Sequence, residues 1–430
     1  MNKKKHQSPW SVFIAIFAAI AVGSWLGQQT GSFSSHFYAV IDVLGKIFLN
    51  ALTLIVVPLV SSSIITGISR MGSEGAVGHL GAKMFLFYFG TSLMAILIGL
   101  ALVNLIGPGI GMHSPTTSSG GETLSLLQEK MDQNGPSAFV DMLVSIVPSN
   151  IIAAFSRGEM MGLIFFSVLF GYALSKIDPK NASTLQSFFQ GIFQTMIQIT
   201  HIIMKVLPYG VFCLVSKVFM ERGLQSLGSL ALFSMTALLG FTVFMFIALP
   251  LLLKFVGKVS PIRHYKAMMP AIITAFSTSS SAASLPITLD CVEKRAGVSN
   301  RVCSLVVPLG TSVNMSGSAL YECVAAMFIA QAYGIEMSFL TQFLVVFMTL
   351  ITSMGVAGIP SGSIVATLII LKIMGLPLEG IGLFVAVDRF LDMARTTVNV
   401  FSDSCCAVLV AKSEGETTVL AQEALEEELA

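Results

Sequence analysis

Residues 387–403 read VDRFLDMARTTVNVFSD and lie between apolar sequences. Their polar positions recur three or four residues apart, a spacing that puts them on one face of a helix. These positions are Asp388, Asp392, Arg395, Asn399 and Asp403, with Thr396 beside them. A charge at the bilayer centre costs about 3 kcal/mol even on a lenient scale. If the flanking apolar sequence spans a membrane, this face must point into the protein or into a water-filled site.

Two interpretations fit these charges. A structural ladder would join Arg395 to Asp388 and Asp392 by ion pairs. A binding site would instead use the same charges to hold a ligand. The binding site is favoured, because a ladder has no use for the further polar residues on the same face.

Each polar residue on this face suits a particular ligand group. The planar guanidinium of Arg395 matches a carboxylate in two-point contact, and Asp392 would take a positive amino group. Thr396 and Asn399 would supply hydrogen bonds, and Asp403 offers hard oxygen ligands for a small cation. A ligand with one amino group and two carboxylates fits this set, whereas a dicarboxylate without an amino group would leave Asp392 unpaired.

The whole chain has the composition of an integral membrane protein. Of its 430 residues, 54% are hydrophobic and 11% are charged, whereas soluble domains carry about 25% charged residues. Several apolar stretches approach or exceed the roughly 20 residues that a helix needs to cross the hydrocarbon core. They include 10–26, 47–68, 85–106, 230–253 and 339–356. The alternating pattern of barrel strands is absent, so the fold class is predicted to be all-α.

Basic residues predict the orientation of these spans. Residues 3–5 are all Lys and precede the first apolar run, residues 28–36 contain no Lys or Arg, and the next connection contains Arg70 and Lys83. This alternation favours two cytoplasmic termini and an even number of spans, about eight. The Glu-rich residues 413–430 are predicted to form a solvated, acidic cytoplasmic tail.

Composition also bears on partners and chemistry. A net charge of +1 without a sizeable basic patch argues against nucleic acid. The six Cys show no CxxC pattern, so they are interpreted as packing residues rather than disulfide or metal ligands. Because no His lies in the polar stretches, their Ser residues have no evident base, and an enzyme is disfavoured. An ion channel and a ligand sensor remain alternatives, although both charge signs at one locus suit a bound zwitterion better.

Two apolar segments of the C-terminal part are interrupted at their centres. Residues 277–286 read STSSSAASLP and residues 355–363 read GVAGIPSGS, and each interruption precedes a helix with polar residues at membrane depth. Backbone that leaves a helix inside a membrane must be buried in protein or line a wet cavity. Paired broken segments are the best sequence pointer to a transporter's binding site.

The helix between the two interruptions adds a second polar face. Residues 310–322 read GTSVNMSGSALYE, in which Asn314, Ser318 and Glu322 recur every four residues. Asn314 could share a cation with Asp403, and Gly317 suggests a locally loosened helix. Glu322 is a lone carboxylate in apolar sequence. Either it carries a proton, because desolvation favours the neutral form, or it pairs with a neighbouring helix.

These motifs resemble the glutamate transporter family, the dicarboxylate/amino acid:cation symporters, most closely from 275 to 412. The resemblance implies eight transmembrane helices, two re-entrant helical hairpins, a homotrimer in the lipid bilayer and an elevator motion. It also implies that residues 1–260 are mainly scaffold, apart from a transport helix near 81–107. Residues 261–412 would form the transport core, and a bacterial inner membrane is the expected location.

The resemblance further implies a substrate site and sodium sites. The substrate residues would be Ser281, Ser318, Ile359, Ser363, Asp392, Arg395, Thr396 and Asn399. One sodium site would comprise Gly310, Asn314, Asn399 and Asp403. A second, built mainly from backbone carbonyls, would comprise Ser312, Ser353 and Val356.

The motif at 314–318 departs from the family. It reads NMSGS where the family has NMDGT, so Ser316 removes a carboxylate from a third sodium site. The other members of that site, Tyr88, Thr91 and Ser92, are present. This places the third sodium in doubt.

Further positions bear on substrate and coupling. The pair Asp392 and Arg395 resembles the acidic amino acid branch; neutral amino acid and C4-dicarboxylate symporters of the same fold are the alternatives. Glu322 aligns with a proton-carrying Glu, so coupling to Na⁺, to H⁺ or to both is expected, without a cofactor. An Arg of some members is absent, and Ser279 and Met393 stand at its two possible places.

Overall fold

The computed structural model describes residues 9–27, 32–72, 78–112, 147–157, 160–223, 226–353 and 362–420, and all their regular secondary structure is helical. In chain order the α-helices are α1 (Pro9–Gly27), α2 (Ser32–Gly72), α3 (Gly78–Ile106), α4 (Ile151–Arg157), α5 (Met160–Leu174), α6 (Pro179–Met204), α7 (Leu207–Arg222), α8 (Ser226–Val243), α9 (Leu249–Phe255), α10 (Pro261–Thr278), α11 (Ser281–Asp290), α12 (Asn300–Val313), α13 (Ser316–Ala332), α14 (Phe339–Ser353), α15 (Gly362–Ile373) and α16 (Ile381–Ser413). Short π-helical turns link α8 to α9 and extend α11, and a 3₁₀ turn precedes α16.

Helix boundaries follow local chemistry. The Asp178 carboxylate accepts from the Lys180 N–H, and Pro179 stands at the first position of α6, where a missing N–H costs nothing. The Ser280 hydroxyl caps α11 and the Ser299 hydroxyl caps α12. Such caps satisfy backbone donors that a helix leaves free at its start.

The helices pack as two groups. In the first, α1 lies against α7, and α2 lies against α5, α6 and α7. In the second, α16 contacts α3, α8, α10, α12 and α13. Nearly every residue of α13 is buried, so this helix forms the centre of the second group. Most contacts of α8 are with α3, α13 and α16, and a few are with α7.

Two breaks bring polar backbone into the second group. Between α10 and α11, Ser279 adopts a left-handed conformation with φ of 49°, which confirms the predicted interruption at 277–286. Between α12 and α13, Asn314 and Met315 leave the helix. The second predicted interruption, at 355–363, lies mostly outside the described residues, which end at Ser353 and resume at Gly362, the first residue of α15.

The described helices fit a membrane-spanning class. Four segments are long and apolar enough to cross a bilayer: Phe33–Ser69, Leu80–Ile106, Leu227–Phe255 and Asn300–Ala332. The pair Pro179–Met204 and Leu207–Glu221, bent by 59°, would be a fifth. Others, such as α14 and α15, are shorter. The all-α membrane class is confirmed, and the count of eight spans stays a prediction.

The start of the acidic tail was predicted wrongly. Residues 413–420 were expected to be solvated, but Val419 and Leu420 are buried, at 3% and 4% exposure. The backbone N–H of Leu420 donates to the carbonyl of Ala296, 2.9 Å away. The many Glu residues of the tail suggested that it is exposed to solvent. Val419 and Leu420 instead attach residues 413–420 to the loop between α11 and α12.

Candidate functional site

The first part of the site is the contact between the start of α13 and α16. The Asn399 side-chain oxygen accepts from the N–H of Gly317 (2.8 Å) and of Ser318 (3.3 Å), and its nitrogen donates to the Ser318 hydroxyl (3.1 Å). A methyl group added at Gly317 would lie 2.8 Å from the carbonyl oxygen of Arg395. The absence of a side chain therefore permits this approach, and Asn399 satisfies N–H groups at the start of the helix.

The second part is a polar cluster around Asn314. Its amide nitrogen donates to an Asp403 carboxylate oxygen at 2.9 Å, and its amide oxygen accepts from Thr91 and from Ser316, both at 3.1 Å. The other Asp403 oxygen is buried and has no hydrogen-bond partner. A methyl group at Gly310 would lie 2.6 Å from the Asp403 carboxylate. The structure thus brings the predicted residues Gly310, Asn314 and Asp403 together.

Helix α3 contributes further polar residues to this cluster. Ser92 lies 3.3 Å from the Ser316 hydroxyl, which in turn lies 3.2 Å from Ser402. The Tyr88 hydroxyl donates to the carbonyl of Val306. The structure thus brings Ser316, with a hydroxyl in place of a carboxylate, together with Ser92, one of the residues named for a third sodium site. The sequence reasoning did not select Ser402, whose only signal is its place beside Asp403.

The third part surrounds Arg395, which is 2% exposed. Its guanidinium donates to Asp392, lies 3.6 Å from an Asp388 oxygen and stacks 4.7 Å from the centre of the Tyr321 ring. One guanidinium nitrogen, Nη1, has no hydrogen-bond partner. Asp392 also pairs with Arg389 at 3.5 Å. The ion-pair ladder weighed against a binding site is therefore present.

Tyr321 links the ladder to α13. Its hydroxyl donates to the Asp388 carboxylate at 2.9 Å while its ring faces the Arg395 guanidinium. The sequence reasoning did not select Tyr321. Its spacing of three residues from Ser318 placed it on the same helix face, and that was the available signal.

Glu322 lies deep in the same region, at 0% exposure. Among the described residues, neither of its carboxylate oxygens has a hydrogen-bond partner. Arg395 of α16 and the hydroxyl of Ser363 of α15 are its electrostatic neighbours. Both interpretations of Glu322, a proton carrier and a residue that pairs with a neighbouring helix, stay predictions.

Most of the remaining predicted residues are buried or half-buried. Ser281 is buried at the start of α11, beside Ser279, whose buried hydroxyl has no partner. Thr396 and Ser353 are buried, and the Ser353 hydroxyl donates to the carbonyl of Leu350. Ser312 is half-buried. Ile359 and Val356 lie outside the described residues.

The donors available for an ion are oxygen atoms of neutral groups and single carboxylates. Among the residues that the structure describes, no group of three or more His, Cys, Asp or Glu side chains converges as a metal site would require. All six Cys are buried, and none of these described residues forms a disulfide. This donor set suits a hard monovalent cation or a proton better than a transition metal.

Sequence comparison with known proteins matches most of the chain to one family. The model of the sodium:dicarboxylate symporter family matches residues 9–413. The proton/glutamate-aspartate symporter of Escherichia coli is 33% identical over 96% of this chain and 94% of its own length. The proton/sodium-glutamate symport protein of Bacillus caldotenax is 35% identical over 95% of this chain and 94% of its own. A C4-dicarboxylate transport protein of Bacillus subtilis is 32% identical over 87% of each.

A match of this length covers both helix groups and all three parts of the site. Symporters move solutes across a membrane without changing them chemically, so this chain is an integral membrane transport protein and not an enzyme. The chain belongs to the sodium:dicarboxylate symporter family.

Proposed function

We propose that this protein is a secondary active symporter that moves an acidic amino acid, glutamate or aspartate, together with Na⁺, H⁺ or both. One observation carries the proposal: the buried ion pair between Arg395 and Asp392. An acidic amino acid can replace this pair by two new ones, with its side-chain carboxylate on Arg395 and its ammonium group on Asp392. Arg395 and Asp392 then both keep an oppositely charged partner, which is the condition for a buried charge to be tolerated. The α-carboxylate of the substrate would be held by neutral hydrogen-bond donors.

Other ligands satisfy this condition less well. A dicarboxylate would pair with Arg395 and leave Asp392 buried beside a second negative charge, and a neutral amino acid would leave Arg395 without a carboxylate. Removing one partner of a buried pair costs about 3–5 kcal/mol. A C4-dicarboxylate is the second candidate substrate, because relatives of similar identity carry that name.

The remaining substrate contacts are proposed from position. Ser281 at the first hairpin tip and Ser318 would donate hydrogen bonds to the carboxylate groups, together with Thr396 and Asn399. Ile359 and Ser363 of the second hairpin would close over the substrate and exclude water, which strengthens every polar contact inside.

The coupling ions are treated as cargo. The unpartnered Asp403 oxygen supports a sodium site with Gly310, Asn314 and Asn399. A second site would use Ser312, Ser353 and the backbone near Val356. Ser316 weakens the third site, since a hydroxyl brings no compensating charge. Glu322, buried without a partner, is the proposed proton carrier.

The proposed architecture extends the helix groups. Eight transmembrane helices and two re-entrant hairpins would form a homotrimer in a bacterial inner membrane, with both termini in the cytoplasm. The second helix group would be the transport core, comprising α3 and residues 261–412, and the contacts of α8 and α9 support their inclusion. The first group, within residues 1–260, would be the scaffold against which the core slides.

The deciding experiment is uptake of labelled glutamate, aspartate and succinate into proteoliposomes, with sodium and proton gradients imposed separately. We expect uptake of an acidic amino acid and no comparable uptake of succinate. Uptake driven by sodium would mean that the change at Ser316 is tolerated. Uptake driven by protons alone would identify Glu322 and the altered motif as parts of a proton-coupled carrier.

Two outcomes contradict the proposal. Succinate uptake above that of both amino acids would replace the substrate assignment by the second candidate. Absence of uptake of all three under either gradient, in protein that is folded by a thermal-unfolding assay, would overturn the acidic amino acid assignment. Liposomes with both gradients collapsed by ionophores give the background.

A further inference from the structure

The segment 413–420, called the strap from here on, contacts three other parts of the second helix group. Glu414 forms an ion pair with Lys83 of α3 at 2.8 Å, and Lys83 also donates to the carbonyl of Ser413. At the far end of the strap, Arg263 of α10 donates to the carbonyl of Leu420 at 3.2 Å. The strap thus joins the end of α16 to the starts of α3 and α10.

The middle of the strap reaches the start of α12. The Glu416 carboxylate accepts from the Ser299 N–H at 3.0 Å and, with its other oxygen, from the Ser299 hydroxyl. That hydroxyl is itself the cap of α12, since it accepts from the Val302 N–H. A carboxylate at a helix start also interacts favourably with the helix dipole.

The loop before α12 is shaped to receive the strap. Gly297 has φ of 69°, and a methyl group added there would lie 2.8 Å from the carbonyl oxygen of Thr418. The Thr418 hydroxyl donates to the Gly297 carbonyl at 3.2 Å, and the Leu420 N–H donates to Ala296. Burial of Val419 and Leu420 completes the contact. A solvated tail would need none of these features.

The three helices that meet at the strap also build the polar cluster. Thr91 lies on α3, Asn314 follows the end of α12, and Asp403 lies on α16. Their hydrogen bonds are 2.9–3.1 Å long, and sites of this kind must be held to within about 0.5 Å to function. α12 is one helix from Asn300 to Val313, with Pro308 inside it, and it connects the Ser299 cap to Asn314.

We propose that Glu416 is a positioning residue, which fixes the start of α12 through Ser299 and thereby sets Asn314 against Asp403. The strap connects the helices at this end of the proposed transport core, and the ion pair between Glu414 and Lys83 fixes α3 relative to α16. The link to cation binding rests on the proposed function; the link to the start of α12 does not.

The test compares Glu416→Ala with Glu416→Gln and with Glu293→Ala. Gln keeps one acceptor for the start of α12 and is expected to rescue. Glu293 accepts from the Asn300 side chain at 3.1 Å across the same loop, so its loss removes a contact at the same helix start without touching the strap. Gly297→Ala is a second way to displace the strap, because the added methyl group would collide with it. This substitution removes no carboxylate from the chain.

The first measurement is amide hydrogen exchange of the full chain in detergent. In Glu416→Ala and Gly297→Ala we expect faster exchange in residues 413–420 and also in 300–316, with both regions near wild type in Glu416→Gln and Glu293→Ala. Faster exchange confined to 413–420 would overturn the proposal, since the strap would then be a passive attachment. This result holds whether or not the protein transports glutamate.

The second measurement is the cation dependence of uptake, normalised to folded protein. We expect the half-saturating concentration of the coupling cation to rise at least about five-fold in Glu416→Ala, the lower end of a typical coupling between sites. The KM for the amino acid at saturating cation should stay within about two-fold of wild type, since the residues around Arg395 are not displaced. Reduced uptake with unchanged cation dependence would contradict the positioning role. Failure of the wild type to transport would count against the proposed function alone.

Discussion

Arg395 is held by groups that a substrate would have to replace. Asp392, Asp388 and the Tyr321 ring surround its guanidinium, and Nη1 has no hydrogen-bond partner among the residues that the structure describes. The ladder and the binding site, which were opposed as interpretations of the sequence, are compatible. In the proposed function, the ladder pairs Arg395 with Asp392 when no substrate is bound. The substrate would replace this ion pair by two, one to Arg395 and one to Asp392.

Replacement of Arg395 by Cys should abolish uptake of acidic amino acids. The change leaves Asp392 buried with one fewer partner and removes the carboxylate ligand, so a fall of at least about 100-fold is expected from the loss of about 3–5 kcal/mol. Uptake of labelled glutamate, serine and alanine should be measured, because neutral amino acids no longer meet an unmatched guanidinium. Arg389→Met, which removes only a 3.5 Å contact to Asp392, is the control. Unchanged glutamate uptake in Arg395→Cys would refute the role of Arg395.

Glu322→Gln should make uptake insensitive to an imposed proton gradient. Gln has the shape of a protonated Glu and cannot release a proton, and the buried Glu322 oxygens have no hydrogen-bond partner within the described part of the chain. Uptake should be measured at fixed sodium gradient over a series of internal and external pH values. If the pH dependence survives intact, the proton is carried elsewhere. Substrate affinity at saturating sodium is the control for a preserved site.

At the scale of elements, the close approach of α13 to α16 depends on Gly317. Gly317→Ala would place a methyl group 2.8 Å from the Arg395 carbonyl, so the helices must separate. We expect a loss of about 1–3 kcal/mol in stability, the usual cost of overpacking, and a lower midpoint of thermal unfolding. Gly191→Ala in α6 has open space around it and should leave the midpoint unchanged or raise it, because Ala favours the helix. Equal midpoints in both variants would show that the approach is not tight.

The sequence predicted the elements of the C-terminal part well and their partners less well. Periodicity placed Asp388, Asp392 and Arg395 on one face, and the clustering of Ser residues predicted the break at Ser279. Both signals are local along the chain. Tyr321 and Ser402 were missed because their roles arise from neighbours on other helices, and no spacing within one helix reveals such neighbours. The strap was misjudged for the same reason: the loop that receives Leu420 is distant in sequence.

At the scale of the whole molecule, the two helix groups meet where α16 crosses α7. A methyl group added at Gly382 would lie 3.5 Å from the Cβ of Leu214, and disulfides join Cβ atoms roughly 3.5–4.5 Å apart. If the second group slides against the first during transport, a bond at this point must stop it. If both groups move as one body, the same bond has no effect.

The corresponding variant is Gly382→Cys with Leu214→Cys in a Cys213→Ala background. After oxidation we expect uptake to fall to background and to recover on reduction. Gly45→Cys provides the control, because a methyl group there lies 3.9 Å from the Cβ of the native Cys213, and both positions belong to the first group. Oxidation of that variant should leave uptake intact. Full uptake by the cross-linked Gly382 variant would rule out sliding at this interface.

The buried charges of α16 also bear on how the chain is made. This helix is synthesised last among those described, and its ladder cannot enter lipid alone, since each charge there costs about 3 kcal/mol. The helices that cover it, α3, α8 and α13, have left the ribosome by then and can already lie in the bilayer. During biosynthesis, the helices that surround α16 would therefore insert first, and α16 would pack between them last. A substitution that disrupts the packing of those helices would leave α16 outside the membrane, where the quality-control proteases of the cell act on it.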